Sequence, residues 1–252
     1  MSPFDFSYLE SLSPEVKQNY VLIVQDPFTS FYEAELVADF IQLLQRLGKY
    51  PVVLPFKPNG KAQHVKGFLK AFARNAQNTS DFLNQVAELE IPMIGIDAAL
   101  VLCYRDEYHQ VLKEKRGEFT VYTAHEWLVD TLNEWPPVSV SDEEPWYLMA
   151  HCTEKTKIPE TEKSWQSIFH HFGLKLQVIP TGCCGMAGTF GHEVDKKSTS
   201  EAIYQLSWKP NIKNLPTERV LATGYSCRSQ VKRFEGEVVR HPVQVLASLF
   251  NA

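Results

Sequence analysis

Short apolar runs along this chain alternate with longer stretches in which apolar residues recur at helical spacing. Residues 19–24 form the first run, Tyr20-Val21-Leu22-Ile23-Val24, which reads as a buried strand closed by the turn Gln25-Asp26-Pro27-Phe28-Thr29. Across 33–47 the positions Leu36, Val37, Phe40, Ile41, Leu44 and Leu47 lie on one helical face, and Gly48 stops that helix. A second strand is predicted at 50–55 and a turn at 56–60. A long helix follows to about Leu89, broken near Asn78-Thr79-Ser80. Residues 91–96 read as a third strand, 97–102 as a turn into helix, 104–115 as helix, 119–122 as a short strand and 124–133 as helix. Past a Pro- and acid-rich stretch at 134–145 the pattern starts again. It predicts strands at 146–150, 174–179 and 220–223, and helices at 164–172, 201–207 and 242–250, with turns at 151–154 and 224–227. Strands that alternate with helices imply an α/β fold with parallel sheets.

The second half echoes the first at an offset of 125. Gly48 faces Gly173, Pro55 faces Pro180, Gly60 faces Gly185 and Ala62 faces Ala187. Any two βα units can be slid into partial agreement, but four identities with matching element order favour duplication. The expected architecture is two similar Rossmann-like lobes with parallel sheets, related by a pseudo-twofold. Residues 1–19 form a lead-in arm, 20–133 the first lobe, 134–145 a linker and 146–252 the second lobe.

Composition narrows the function classes. With 252 residues, 44% hydrophobic and 22% charged, the chain is an ordinary globular protein large enough for two compact domains. A formal net charge of -5 and the lack of a basic tract argue against nucleic-acid binding. No apolar run reaches the roughly 18 residues of a membrane span. The start Met1-Ser2-Pro3-Phe4-Asp5 is not a signal peptide, so the expected location is cytoplasmic. Five cysteines clustered toward the second half point to metal or redox chemistry rather than a disulfide scaffold.

Four of those cysteines each follow a strand-like run: Cys152, the pair Cys183-Cys184, and Cys227. The turns after adjacent parallel strands gather on one sheet edge, so three turns can deliver four thiols to one point. Such a set suits an iron–sulfur cluster or a tetrahedral zinc site. Adjacent cysteines span two corners of a single small ion only with backbone strain, which tilts the choice toward a cluster. Buried structural thiols, or a Cys183–Cys184 disulfide, are the other readings. At the same offset Cys152 and the Cys183-Cys184 pair face Pro27, Pro58 and Asn59, so one site is expected, in the second lobe alone. Cys103 lies in an apolar run and reads as a core thiol or the remnant of a second ligand position. Around the thiols, His151 and His192 could ligate, donate to sulfur or relay protons, or be ordinary satisfied polar groups. Lys155, Arg228 and Lys232 could offset thiolate charge.

At these residues the chain resembles a known family. Cys152, Cys183-Cys184-Gly185 and Cys227 are similar to the cysteine-rich CCG domain, which occurs in duplicate in the heterodisulfide reductases and in the glycolate oxidase iron–sulfur protein. The longer runs His151-Cys152-Thr153-Glu154-Lys155-Thr156 and Cys183 through Gly191 resemble the C-terminal part of large FAD- and iron–sulfur-dependent D-2-hydroxyacid dehydrogenases, most closely the D-2-hydroxyglutarate type. The resemblance implies a 4Fe-4S cluster on Cys152, Cys183, Cys184 and Cys227, with zinc as the occupant of an isolated fragment. It implies that His151, His192, Arg228 and Arg240 surround the sulfur ligands, the last orienting the cysteine turns through backbone hydrogen bonds. It also implies upstream FAD and ferredoxin-like domains, electron passage to a quinone or other acceptor, and a place in the cytoplasm or at the cytoplasmic face of the inner membrane. This chain carries neither a dinucleotide fingerprint nor a C-x₂-C-x₂-C run, so it is not expected to oxidise a hydroxyacid alone. Its last element, Cys227-Arg228-Ser229-Gln230, lacks the second cysteine of the heterodisulfide reductase relatives. A structural zinc or docking module, and a small-acid cleft between the lobes, are the competing functions.

Overall fold

The computed structural model describes residues 4–136 and 142–250; residues 137–141 of the expected linker lie outside the described residues. The chain divides into two compact units, Met1–Ala124 and His125–Ala252. Each is built on a parallel sheet, which bears out the α/β class. The first sheet has the order β2-β1-β3-β4, with β1 Tyr20–Val24, β2 Tyr50–Val53, β3 Met93–Gly95 and β4 Val121–Thr123. In the second, β6 Leu176–Val178 and β7 Val220–Ala222 flank β5 Trp146–Met149. The shared order, with the first strand of each unit central, is the spatial form of the sequence repeat.

Equivalent residues make equivalent bonds. The helix Ala34–Arg46 ends where Gly48 N–H donates to Gln45 and Lys49 N–H to Leu44. The helix Thr161–His171 ends where Gly173 N–H donates to His170 and Leu174 N–H to Phe169, each 125 residues on. Both glycines take the left-handed conformation, φ +75° and +76°, that this kind of helix end requires.

Each unit has a core cluster of its own. Leu22, Val24, Phe72, Leu83, Met93, Tyr104, Tyr108 and Val121 belong to the first, with Leu9 of the short helix Phe6–Glu10 packed into it. Met149, Met186, Tyr204, Trp208, Val220 and Val231 belong to the second, together with Cys184 and Cys227.

Several elements differ from the sequence pattern. The break expected near Asn78-Thr79-Ser80 lies instead at Lys66-Gly67-Phe68, between helices Lys61–Val65 and Leu69–Ala87. Gly67 supplies the positive φ that ends the first helix, while Thr79 stays helical because its hydroxyl donates to the Pro58 carbonyl at 3.1 Å. The helix expected at 201–207 runs from Lys197 to Asn214 and passes through Pro210. Proline removes the donor for the carbonyl four residues back; here that residue is Leu206, whose side chain is exposed, so water can reach the carbonyl. The turns expected after β5 and β7 are helices, Cys152–Lys157 and Tyr225–Glu235. Among the described residues no helix is long and apolar enough to cross a membrane.

Candidate functional site

Parallel pairing of β5 with β6 and β7 brings three strand ends to one edge of the second sheet. Cys152 is the first residue of the helix after β5. Cys227 is the third residue of the helix after β7, and Cys183-Cys184 occupy the loop after β6. All five cysteines are free thiols. Cys152 and Cys184 both hydrogen-bond to Cys183, and Cys184 is bonded in turn to Cys227, so the four sulfurs form one connected row. Cys184 and Cys227 are buried; Cys152 and Cys183 are half-buried. Cys103 belongs to the first unit, fully buried in its core.

The row is electrically uneven. Hydrogen bonds from Cys152 and Cys184 hold Cys183 far below the ordinary thiol range, with the Gly185 N–H adding to them at 3.3 Å from Sγ. Cys152 is pushed up, first by its bond to Cys183 and then by desolvation. Cys184 is pushed up by its bonds to Cys183 and Cys227 and by burial. Ionisation of the row is therefore favoured at Cys183, whose charge its neighbours' hydrogen bonds share. In the metal-free chain iodoacetamide at pH 6 is expected to modify Cys183 first, although an ordinary thiol is less than about 1% ionised there. Peptide mass spectrometry reads the outcome; labelling that begins only near pH 8 contradicts the shared-charge picture.

The cysteine loop is held by backbone anchors. Gly185 takes φ +85°, and its carbonyl accepts from Ser200 Oγ at 2.8 Å. Gln230 Nε2 donates to the Cys184 carbonyl at 2.9 Å, Trp208 Nε1 to the Gly182 carbonyl at 3.0 Å and Lys155 Nζ to the Thr181 carbonyl at 2.7 Å. The loop is thus tied to all three helices around it. In the first unit Asn59 stands where Cys184 stands in the second. Its amide donates to Leu100 O at 3.2 Å and its carbonyl accepts from Tyr108 at 2.7 Å. Hydrogen bonds there join the loop to its neighbours where thiols meet in the second unit.

The surrounding charged residues divide. His151 caps the helix of Cys152 and is buried against Gly224, where any Cβ would come within 2.5 Å of the imidazole. Arg228, also buried, donates to the Ala222 and Thr223 carbonyls at 2.8 and 3.0 Å, binding the end of β7 to the helix of Cys227. Arg228 therefore anchors the backbone at the turn of Cys227. Arg240 pairs through its backbone with β7, its carbonyl accepting from the Ala222 N–H at 3.0 Å, and its guanidinium stands 4.7 Å from the centre of the Trp146 ring. His192 is exposed on the short turn Phe190–His192, and desolvation and the Arg233 charge hold its imidazole below the usual value. Lys232 is exposed on the helix of Cys227.

One group has no signal in the sequence pattern. Glu154, only 1% exposed, accepts from Thr161 Oγ1 at 2.7 Å and from Thr223 Oγ1, and lies 3.2 Å from His125 Nδ1. A Glu-Lys-Thr-Lys run on a short helix reads as solvated surface, so only the burial of this one carboxylate marks it.

Four thiols from three turns, one of them held toward its thiolate, match the soft sulfur donors that iron–sulfur clusters and zinc require. Among the described residues, however, no group of three or more His, Cys, Asp or Glu side chains is arranged to hold a metal ion.

No protein-family model matches the chain. Curated proteins do. The chain is 61% identical over 241 residues to D-2-hydroxyglutarate dehydrogenase of Pantoea ananatis, and 57% identical over 243 residues to that of Escherichia coli. It is homologous to one portion of the D-2-hydroxyglutarate dehydrogenases. The match takes in 96% of this chain and 24% of each of these relatives, so the chain spans about a quarter of their length. A more distant match, 25% identical over 225 residues, is a subunit of the anaerobic glycerol-3-phosphate dehydrogenase of Escherichia coli, covering 87% of this chain and 56% of that protein. The D-2-hydroxyglutarate dehydrogenase match runs through both units, including the first, which has no thiols at the corresponding edge.

Proposed function

We propose that this chain is the C-terminal iron–sulfur, electron-transfer portion of an FAD-linked D-2-hydroxyacid dehydrogenase whose substrate is D-2-hydroxyglutarate. The observation that carries this reading is the row Cys152–Cys183–Cys184–Cys227 at one sheet edge, in a chain homologous to those dehydrogenases. The four thiols are the ligand set, and the fitting group is a 4Fe-4S cluster, which accepts and passes on single electrons when bound.

The residues of the chain do the rest. The hydrogen bonds from Cys152 and Cys184 hold Cys183 toward its thiolate, and the Gly185 N–H adds one more to its sulfur. Burial of Cys184 and Cys227 keeps water from their sulfurs. Lys155, through its bond to the Thr181 carbonyl, and Arg228, beside Cys227, place positive charge near the row. The partners in this reading are upstream FAD and ferredoxin-like domains of the same polypeptide and a quinone or other acceptor. Its location is the cytoplasm or the cytoplasmic face of the inner membrane.

Anaerobic reconstitution with ferrous iron and sulfide, followed by visible absorption and metal analysis, tests it. The expected result is a broad band near roughly 400 nm with several irons per chain. One colourless zinc per chain, with no iron taken up, would sink the electron-transfer role and leave a structural zinc site.

A further inference from the structure

We infer that Glu154 and Thr223 form a buried joint that sets the spacing of Cys152 and Cys227, making them positioning residues of the candidate cluster site. This inference rests on the four thiols being a ligand set, and it concerns residues that carry no sulfur.

The geometry is specific. Thr223 is the residue after β7 and precedes the Gly224-Tyr225-Ser226-Cys227 entry into its helix. Its hydroxyl accepts the His151 N–H at 3.0 Å, the amide immediately before Cys152. The same hydroxyl donates to Glu154 Oε2, two residues after Cys152. One side chain on the Cys227 strand therefore clasps the Cys152 turn on both sides of the cysteine. Thr161 Oγ1 and His125 Nδ1 hold the other carboxylate oxygen, at 2.7 and 3.2 Å, which fixes the rotamer of Glu154. Thr223 and Glu154 are each 1% exposed, so no water competes for these bonds.

The cost of such an arrangement argues that it has a use. A buried carboxylate is expensive unless its acceptor sites are filled, and three side chains converge to fill them here. The Cys183-Cys184 loop has its own anchors in Gln230, Ser200 and Trp208. The direct clasp between the Cys152 and Cys227 turns is the Thr223 hydroxyl, assisted by the close fit of His151 over Gly224. A small slip between these two turns moves one sulfur relative to the other. Groups that orient ligands in this way typically contribute 10–100-fold to metal affinity.

The test uses the whole chain with Thr223→Val, Thr223→Ser and Glu154→Gln. Amide hydrogen exchange is read on the metal-free protein over 151–157 and 222–228, and Cd²⁺ affinity is read by competition with a chelator. Thr223→Val is expected to speed exchange in both segments by roughly tenfold or more and to weaken Cd²⁺ binding by roughly 10–100-fold. Thr223→Ser, which keeps the hydroxyl, is expected to restore both. If Thr223→Val fails to fold, Glu154→Gln, nearly the same shape with one acceptor turned into a donor, is expected to show the same two changes. Wild-type exchange, or wild-type Cd²⁺ affinity with altered exchange, in the folded variants overturns the positioning role. Because exchange needs no metal, a wild-type chain that takes up no Cd²⁺ counts against the ligand set, while coupled loosening of the two segments still supports the joint.

Discussion

Replacing Cys184 by serine is expected to abolish iron uptake at the candidate site while leaving the fold intact. Cys184 is 2% exposed and sits in the middle of the sulfur row, bonded to Cys183 on one side and Cys227 on the other. Serine is nearly isosteric, so the core of Met186, Tyr204 and Trp208 keeps its packing. The hydroxyl is a hard donor that stays protonated at neutral pH and does not replace a soft thiolate. Loss of an outer-sphere group already costs about 10–100-fold in metal affinity, so loss of a central ligand is expected to exceed about 100-fold. Iron content after anaerobic reconstitution measures it. In the full-length dehydrogenase the same variant is expected to block acceptor reduction while substrate still bleaches the flavin; turnover at the wild-type rate would contradict the electron-transfer role.

Gly185→Ala is expected to be the most destabilising single methyl in the second unit. At φ +85° a Cβ costs about 1–2 kcal/mol from backbone sterics alone. It would also stand 2.2 Å from the Ser200 carbonyl oxygen, which is backbone of the helix Lys197–Asn214 and not a movable side-chain end. Relief requires shifting the start of that helix, which breaks the Ser200 bond to the Gly185 carbonyl and moves Gln230 off Cys184. The total is on the order of 3 kcal/mol or more, or a fall of about 10 °C in Tm. Gly48→Ala is the control, since that glycine shares the positive φ but has open space where the Cβ would go. Equal melting shifts for the two variants would show that the contact with Ser200 relaxes cheaply.

Much of the architecture is legible in the sequence because it depends on local pattern. A buried strand needs an unbroken apolar run, an amphipathic helix needs apolar residues every third or fourth position, and a helix end in the left-handed region needs glycine. Gly48 and Gly173 therefore mark equivalent helix ends in the sequence itself. The helix break at Gly67 escapes the pattern for a related reason. Thr79 and Ser80 are poor helix formers in isolation, but burial and the bond to the Pro58 carbonyl override that weak preference. The pattern also ends the later helix short of Pro210, although a carbonyl on an exposed face tolerates losing its donor.

What the sequence by itself determined was the set of strands, their parallel class, the duplication and the placement of Cys152, Cys183, Cys184 and Cys227 after strand ends. These follow from periodicity and from the chirality of βαβ connections, which act over a few dozen residues. Only the tertiary structure decided that hydrogen bonds favour ionisation at Cys183, that Arg228 anchors the turn of Cys227, and that Glu154 is buried. Those properties arise between residues tens of positions apart, such as Thr223 and Glu154, 69 apart. Desolvation and hydrogen-bond geometry, which set the cost and value of a polar group, exist only once the strands have brought such residues together.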